Sequence, residues 1–126
     1  MIYLDTNILI YLFENHQEYA SKVAAFLDEN QKNDTPLITS VISVTELTAG
    51  NQNITIDTLK LLQGLKIVPV DETIASLAGD LIAQDKMHIG DAIHFATALS
   101  AKCNAIYTND DYLAKKASKK LKIIKP

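Results

Sequence analysis

Arginine is missing from all 126 residues, so the twelve basic side chains are all lysines. Without a guanidinium, the chain cannot read a base edge or grip a phosphate in the bidentate manner that arginine allows. Tryptophan is also absent, and cysteine occurs once, at Cys103. One thiol permits no intrachain disulfide and suits a reducing compartment, where a cysteine among apolar neighbours reads as a small core side chain. Glycine is confined to four scattered positions and proline to three. No linker, repeat or low-complexity tract interrupts the chain, so one domain spanning residues 1–126 is expected. No apolar run approaches the ~20 residues that cross a bilayer. The opening MIYLDTN has no basic leader region and carries an acid at position 5, which points to a soluble, cytoplasmic protein without a membrane partner.

The formal charge is −3, which argues against a protein that holds nucleic acid by overall electrostatics. Yet six lysines, Lys115, Lys116, Lys119, Lys120, Lys122 and Lys125, crowd into the last twelve positions. The simplest reading of them is a solvated helix face and a lysine-guarded edge strand.

What is present is a 48% hydrophobic composition, enough to build a core at this length. Short apolar runs of strand type occur at Ile2 to Leu4, Leu37 to Thr39, Lys66 to Val70, Ala105 to Tyr107 and Leu121 to Ile124. Helical patterns separate them, as in Tyr19, Val23, Phe26 and Leu27, or Ile74, Leu77, Ala78, Leu81 and Ile82. Asp71-Glu72, Gly90-Asp91 and Asn109-Asp110-Asp111 read as helix starts, and Ala92 to Lys102 as an alanine-rich helix packed close to a sheet. Strand alternating with helix predicts an α/β fold, a twisted and mainly parallel sheet of about five strands with helices on both faces.

Open sheets of this kind bind ligands at the carboxyl ends of their strands. Asp5 ends the first strand and Asp110 follows the fourth by two residues, while Asp91 heads a helix. Each of these alone is explained by helix capping. Glu46 is harder to explain that way, because it interrupts the apolar stretch Val41 to Leu47 and buried glutamates need a partner. With no arginine available, a bound cation is the expected partner. Carboxylates converging on one point repel by about 3 kcal/mol per pair at about 5 Å and an effective dielectric of about 20. Protonation or a divalent metal must relieve this, and an all-oxygen set favours Mg²⁺ or Mn²⁺ over zinc. Such ions characteristically bind phosphate, so phosphodiester hydrolysis is the chemistry expected.

Four segments in order resemble the PIN-domain family across Ile2 to Lys125: Tyr3-Leu4-Asp5-Thr6-Asn7, Ser40 to Leu47 around Glu46, Gly90-Asp91-Ala92-Ile93-His94-Phe95-Ala96, and Tyr107-Thr108-Asn109-Asp110. Within that family the spacing looks like that of VapC-type toxins. The resemblance implies a Mg²⁺- or Mn²⁺-dependent endoribonuclease that uses metal-activated water and leaves a 5′-phosphate and a 3′-hydroxyl. Asp5, Glu46, Asp91 and Asp110 would hold the metal and carry catalysis, with Asn7, Thr108 and Asp111 supporting them. It also implies an RNA substrate, a cognate antitoxin protein and a homodimer. The last motif reads Asp110-Asp111-Tyr112 where many relatives have a further acid and an aromatic after a basic residue, so the division of roles between Asp110 and Asp111 stays open.

A non-catalytic PIN-like binding or regulatory module is the main alternative, and acids at all four motif positions count against it. A phosphatase or receiver domain on a doubly wound fold fits less well, since Asp5-Thr6-Asn7 lacks the second aspartate of the first and no acid pair marks the second. A metal-activated water needs no histidine, so His94 and His88 receive no catalytic role from the sequence. Tyr11 and Phe13 read as core or dimer surface.

Overall fold

The computed structural model describes all 126 residues. Strands β1 (Ile2–Leu4), β2 (Leu37–Ser40), β3 (Leu65–Val68), β4 (Ala105–Tyr107) and β5 (Lys122–Ile124) form one sheet, ordered β3-β2-β1-β4-β5 with every pairing parallel. Seven helices connect them: α1 (Thr6–Phe13), α2 (Ala20–Lys32), α3 (Ile42–Gly50), α4 (Ile56–Lys60), α5 (Glu72–Asp85), α6 (Ile89–Ser100) and α7 (Asp111–Ala117).

The period of two along each strand divides the apolar residues between two cores. Tyr3, Ile38 and Ile106 face one way and pack with Ile74 and Ala78 of α5, Ala92, Phe95 and Ala96 of α6, and Leu113 of α7. Leu4, Leu37 and Tyr107 face the other way, against Ile8 and Leu9 of α1, Val23 of α2, Leu47 of α3 and Leu59 of α4. The central strands are buried on both faces, which is why they read as continuous apolar runs.

Parallel crossovers are right-handed, so the direction of travel across the sheet fixes which face a helix covers. The chain moves β1 to β2 to β3 with α1 to α4 on one face, then returns past β1 through α5 and α6 on the other. The reversal lies between β1 and β4, and it opens a crevice at their carboxyl ends, where Asp5 and Thr108 stand.

Helix α4 was not visible in the sequence. It is five residues long, too short to show a period, and is held by the Thr55/Thr58 capping box and by burial of Leu59. The outer strands are also shorter than their apolar runs: β3 stops at Val68 and β5 starts at Lys122. Lys66 and Lys122 are exposed on these two edge strands, as lysine-guarded edges require.

Candidate active site

At Asp5 the chain turns from strand to helix. Its backbone N–H donates to Tyr107 O at 3.0 Å, extending the β1–β4 ladder, while extended dihedrals (φ −74°, ψ 155°) make it the N-cap of α1. Oδ1 accepts from the Thr6 N–H at 2.8 Å, and Oδ2 accepts from the Thr108 hydroxyl at 2.7 Å. The side chain is thus pinned between the ends of the two central strands, and the residue is only 6% exposed. Thr108 Oγ1 also accepts from the Asp110 N–H at 3.0 Å, which directs its single proton toward Asp5. Asp110 caps α7 by accepting from the Leu113 N–H at 2.9 Å. Capping and membership of the site are therefore one and the same placement for Asp5 and Asp110.

Asp91 lies in the first turn of α6, with His88 Nδ1 3.8 Å from its Oδ2. Asp5, Asp91 and Asp110 share one electrostatic field. Burial, and then the charge of Asp110, raise the Asp5 carboxyl despite opposing help from His94, Thr108 and Thr6. Asp91 is raised by burial and by the charges of Asp110 and Asp5, against smaller help from His94 and His88. Like-charge repulsion of this kind is what a divalent cation relieves.

Glu46 comes from the opposite wall, on α3. Oε1 lies 2.6 Å from His94 Nε2 and accepts from the Thr6 hydroxyl at 3.1 Å. His94 is a direct partner of Glu46, beside the bound cation expected from the sequence. Glu46 is not sunk in the apolar run around it: its side chain is 42% exposed and reaches the crevice from the rim. Burial would raise it, but the hydrogen bond and charge of His94, with the Thr6 hydroxyl, outweigh that and hold it below the ordinary carboxylate range.

His94 is the residue the sequence undervalued. Its side chain is 2% exposed, with Nδ1 2.5 Å from the Tyr3 hydroxyl and Nε2 facing Glu46, Thr6 at 3.3 Å and Asp5 Oδ1 at 3.8 Å. The Tyr3 oxygen accepts from the Ser40 N–H at 3.2 Å, leaving its proton for Nδ1 of a neutral ring. In a charged ring both nitrogens donate, so the Nε2 proton points at Glu46 in either state. Burial lowers the imidazole, yet the Glu46 hydrogen bond and the charges of Asp5, Glu46 and Asp91 raise it overall. Beneath it, Ser43 Oγ sits 2.9 Å from Thr6 Oγ1 and 2.8 Å from Thr39 Oγ1, and Thr39 donates to Leu4 O. This hydroxyl chain ties α1, α3 and β2 together below the carboxylates.

The remaining residues divide. Asn7 Oδ1 is buried without a hydrogen-bond partner, two positions beyond Asp5, an acceptor awaiting a donor or cation. Asp111 points away: its side chain is 98% exposed and pairs with Lys125 at 2.8 Å. Tyr11 packs, partly buried, against the core beside α1, while its hydroxyl accepts from Asn109 Nδ2 at 3.0 Å and its ring packs with those of His16 and Tyr19.

No three His, Cys, Asp or Glu side chains are gathered into a ready-formed metal cluster. The donors nonetheless suit a hard divalent ion: an all-carboxylate set, two of its members raised by burial and, to a lesser degree, by neighbouring carboxylates, and an orphaned amide oxygen on Asn7 two residues beyond Asp5. Asp91 and Asp110 are partly exposed at the rim.

The PIN domain family model matches residues 2–119, and the chain belongs to that family. Among solved structures, it shares its fold with the VapBC2 complex of Rickettsia felis bound to a promoter DNA fragment, at TM-score 0.74 and 21% identity over 100% of this chain and 99% of that one. A toxin–antitoxin complex from Klebsiella pneumoniae aligns at TM-score 0.72 and 24% identity, covering 98% and 96% of the two chains. The Mycobacterium tuberculosis toxin VapC20, which cleaves the sarcin–ricin loop, aligns at TM-score 0.70 and 16% identity over the full length of both. No curated protein sequence matches the chain. None of its helices is long and apolar enough to cross a membrane.

Proposed function

We propose that this protein is a VapC-like toxin, an endoribonuclease that hydrolyses RNA phosphodiesters with Mg²⁺ or Mn²⁺. The observation that carries the reading is the junction at the switch point, where Asp5, Asp91 and Asp110 share a field and Thr108 holds Asp5 and Asp110 in register. Asp5, Asp91, Asp110 and Glu46 are the residues that would hold the metal. Bound there, a divalent ion supplies the Lewis acidity that makes water nucleophilic near neutral pH and offsets phosphate charge. Asp5, fixed through both oxygens, sets the position of the site. Thr108 and Thr6 orient carboxylates, and Asn7 supports from the first turn of α1. His94 braces Glu46, keeping it ionised and aimed into the crevice. Asp110, not Asp111, is the acid of the final motif that acts here, since Asp111 is engaged with Lys125 at the surface.

The fold-level likeness to toxin–antitoxin complexes supports a cognate antitoxin as partner; a homodimeric, single-domain cytoplasmic toxin is the rest of the proposal. The test is cleavage of a mixed RNA panel in Mg²⁺ or Mn²⁺, with chelator as control. Metal-dependent cutting that leaves 5′-phosphate ends supports the reading. Undiminished cutting in excess EDTA refutes it, and no cutting despite divalent-ion binding favours the non-catalytic module.

A further inference from the structure

Outside the acid site, a pocket of about 310 Å³ opens between the end of α5 and the outer face of α7, lined by Asp85, Tyr112, Lys115, Lys116 and Lys119. Three ammonium groups face one carboxylate there, in a chain whose overall charge is −3. The wall is built rather than incidental. Lys116 Nζ donates to Asp85 O at 2.9 Å and lies 5.7 Å from the Tyr112 ring centroid. The Tyr112 hydroxyl donates to Lys86 O at 3.3 Å, fastening α7 to the end of α5. Lys115 and Lys119 are exposed, and their ammonium groups have no ion-pair or hydrogen-bond partner, unlike those of Lys32, Lys116 and Lys125.

The pocket is joined to the acid site. His88 stacks on Tyr112 at 5.2 Å between centroids and 15° between planes, and the same imidazole reaches Asp91. The residues Asp91, His88, Tyr112 and Lys116 thus form a continuous surface from the carboxylates to the lysines. Polyanions approaching the aspartates at the strand ends meet repulsion, and in a chain without arginine lysines are the strong side-chain cations that can offset it away from a bound metal. Cations flanking an aromatic stack are the composition of a single-stranded nucleic-acid groove.

We propose that this pocket is a phosphate subsite of the RNA groove, in which Lys115 and Lys119 bind a backbone phosphate beyond the scissile one. The proposal rests on the ribonuclease reading and specifies where the substrate continues from the acid site. It also separates the C-terminal lysines into two groups: Lys115 and Lys119 bind RNA, whereas Lys122 guards an edge strand and Lys125 neutralises Asp111.

The test is binding of a short fluorescent single-stranded RNA by anisotropy across a salt series in EDTA, so that turnover does not intervene. Lys115→Ala/Lys119→Ala is compared with Lys60→Ala/Lys66→Ala, which removes the same charge from exposed positions near the opposite sheet edge. With about 0.7 in log–log salt slope per single-strand phosphate contact, loss of the one phosphate contact in the pocket double should flatten the slope by about 0.7, and the control double by almost nothing. In Mg²⁺, the pocket double should raise KM and leave kcat within about twofold, because its residues touch no reacting group. Equal slopes for the pocket double and the parent overturn the proposal, as do equal losses in both doubles. If instead only polyglutamate binding falls in the pocket double, the lysines serve an acidic protein partner and the RNA subsite is wrong. A parent that binds no RNA at any salt concentration in EDTA and cuts none in Mg²⁺ overturns the ribonuclease reading itself.

Discussion

Glu46 Oε1 lies 2.6 Å from His94 Nε2, although the two residues are 48 positions apart and belong to different helices, α3 and α6. The imidazole is buried, the carboxylate sits at the rim, and the ring's far nitrogen is anchored to the fully buried Tyr3 hydroxyl. His94 is therefore both a strut of the core and the brace of a candidate metal ligand.

Replacing it tests the first role. His94→Ala opens a cavity and strips the Tyr3 hydroxyl of its ring partner, which together should cost about 2–4 kcal/mol of stability. Urea unfolding measures this through the shift in midpoint at constant slope. A loss below about 0.5 kcal/mol contradicts the strut.

The same groups set a pH dependence for the metal-free protein. His94 is raised on folding, so its contribution is complete below about pH 6.5 and is lost as pH rises through the higher folded value. Glu46 is lowered, so its contribution is present above about pH 4.3 and is lost as pH falls through the folded value. Asp5 and Asp91 are raised, so they too favour the acidic side and become a liability once ionised. The melting temperature should peak in mildly acidic solution and decline toward pH 8. Mg²⁺ should stabilise more at pH 8 than at pH 5, and at pH 8 its stabilisation is about 2.7 kcal/mol where the ion is at a hundredfold its dissociation constant. A metal-free melting temperature that climbs steadily from pH 5 to 8 contradicts this assignment.

Much of the fold was legible from local pattern. Short apolar runs between helical stripes pointed to the parallel sheet, and Asp5 and Asp110 could be placed at strand ends because strand and cap signals coincide there. What stayed hidden depends on tertiary pairing. Nothing within a few residues of Glu46 announces His94, and nothing near Asp111 announces Lys125. The helix α4 escaped for another reason, since five residues carry too little periodicity to be read. The pocket beside Tyr112 likewise needs α5 and α7 to be brought together before Asp85 and Lys116 can meet.

The final motif yields a direct comparison. Asparagine caps a helix as well as aspartate does, so Asp110→Asn should fold normally while losing cleavage by more than about a hundredfold. Asp111→Asn breaks only a surface pair and should cut RNA within about twofold of the parent. Initial rates on one RNA, with circular dichroism of both variants, decide between the two positions. A reversed order assigns the role to Asp111.

Cys103 offers a check on the core. It is 7% exposed, and burial pushes its thiol up to about 11 despite the nearby N-terminal ammonium. Little thiolate exists at neutral pH, and a disulfide reagent should label the native protein slowly and the urea-unfolded protein at once. Immediate labelling of the folded chain contradicts the packing of the Phe95–Ile106–Leu121 core.

The central claim is that the acids at the carboxyl ends of β1 and β4 form one metal-dependent hydrolytic site. Asp5→Asn tests it most directly, because asparagine can still accept from the Thr6 N–H while losing the charge. Calorimetric titration with Mn²⁺ and RNA cleavage should be run on the same purified variant. The account predicts a folded protein in which Mn²⁺ affinity and cleavage fall together. A variant that cuts RNA as fast as the parent contradicts it.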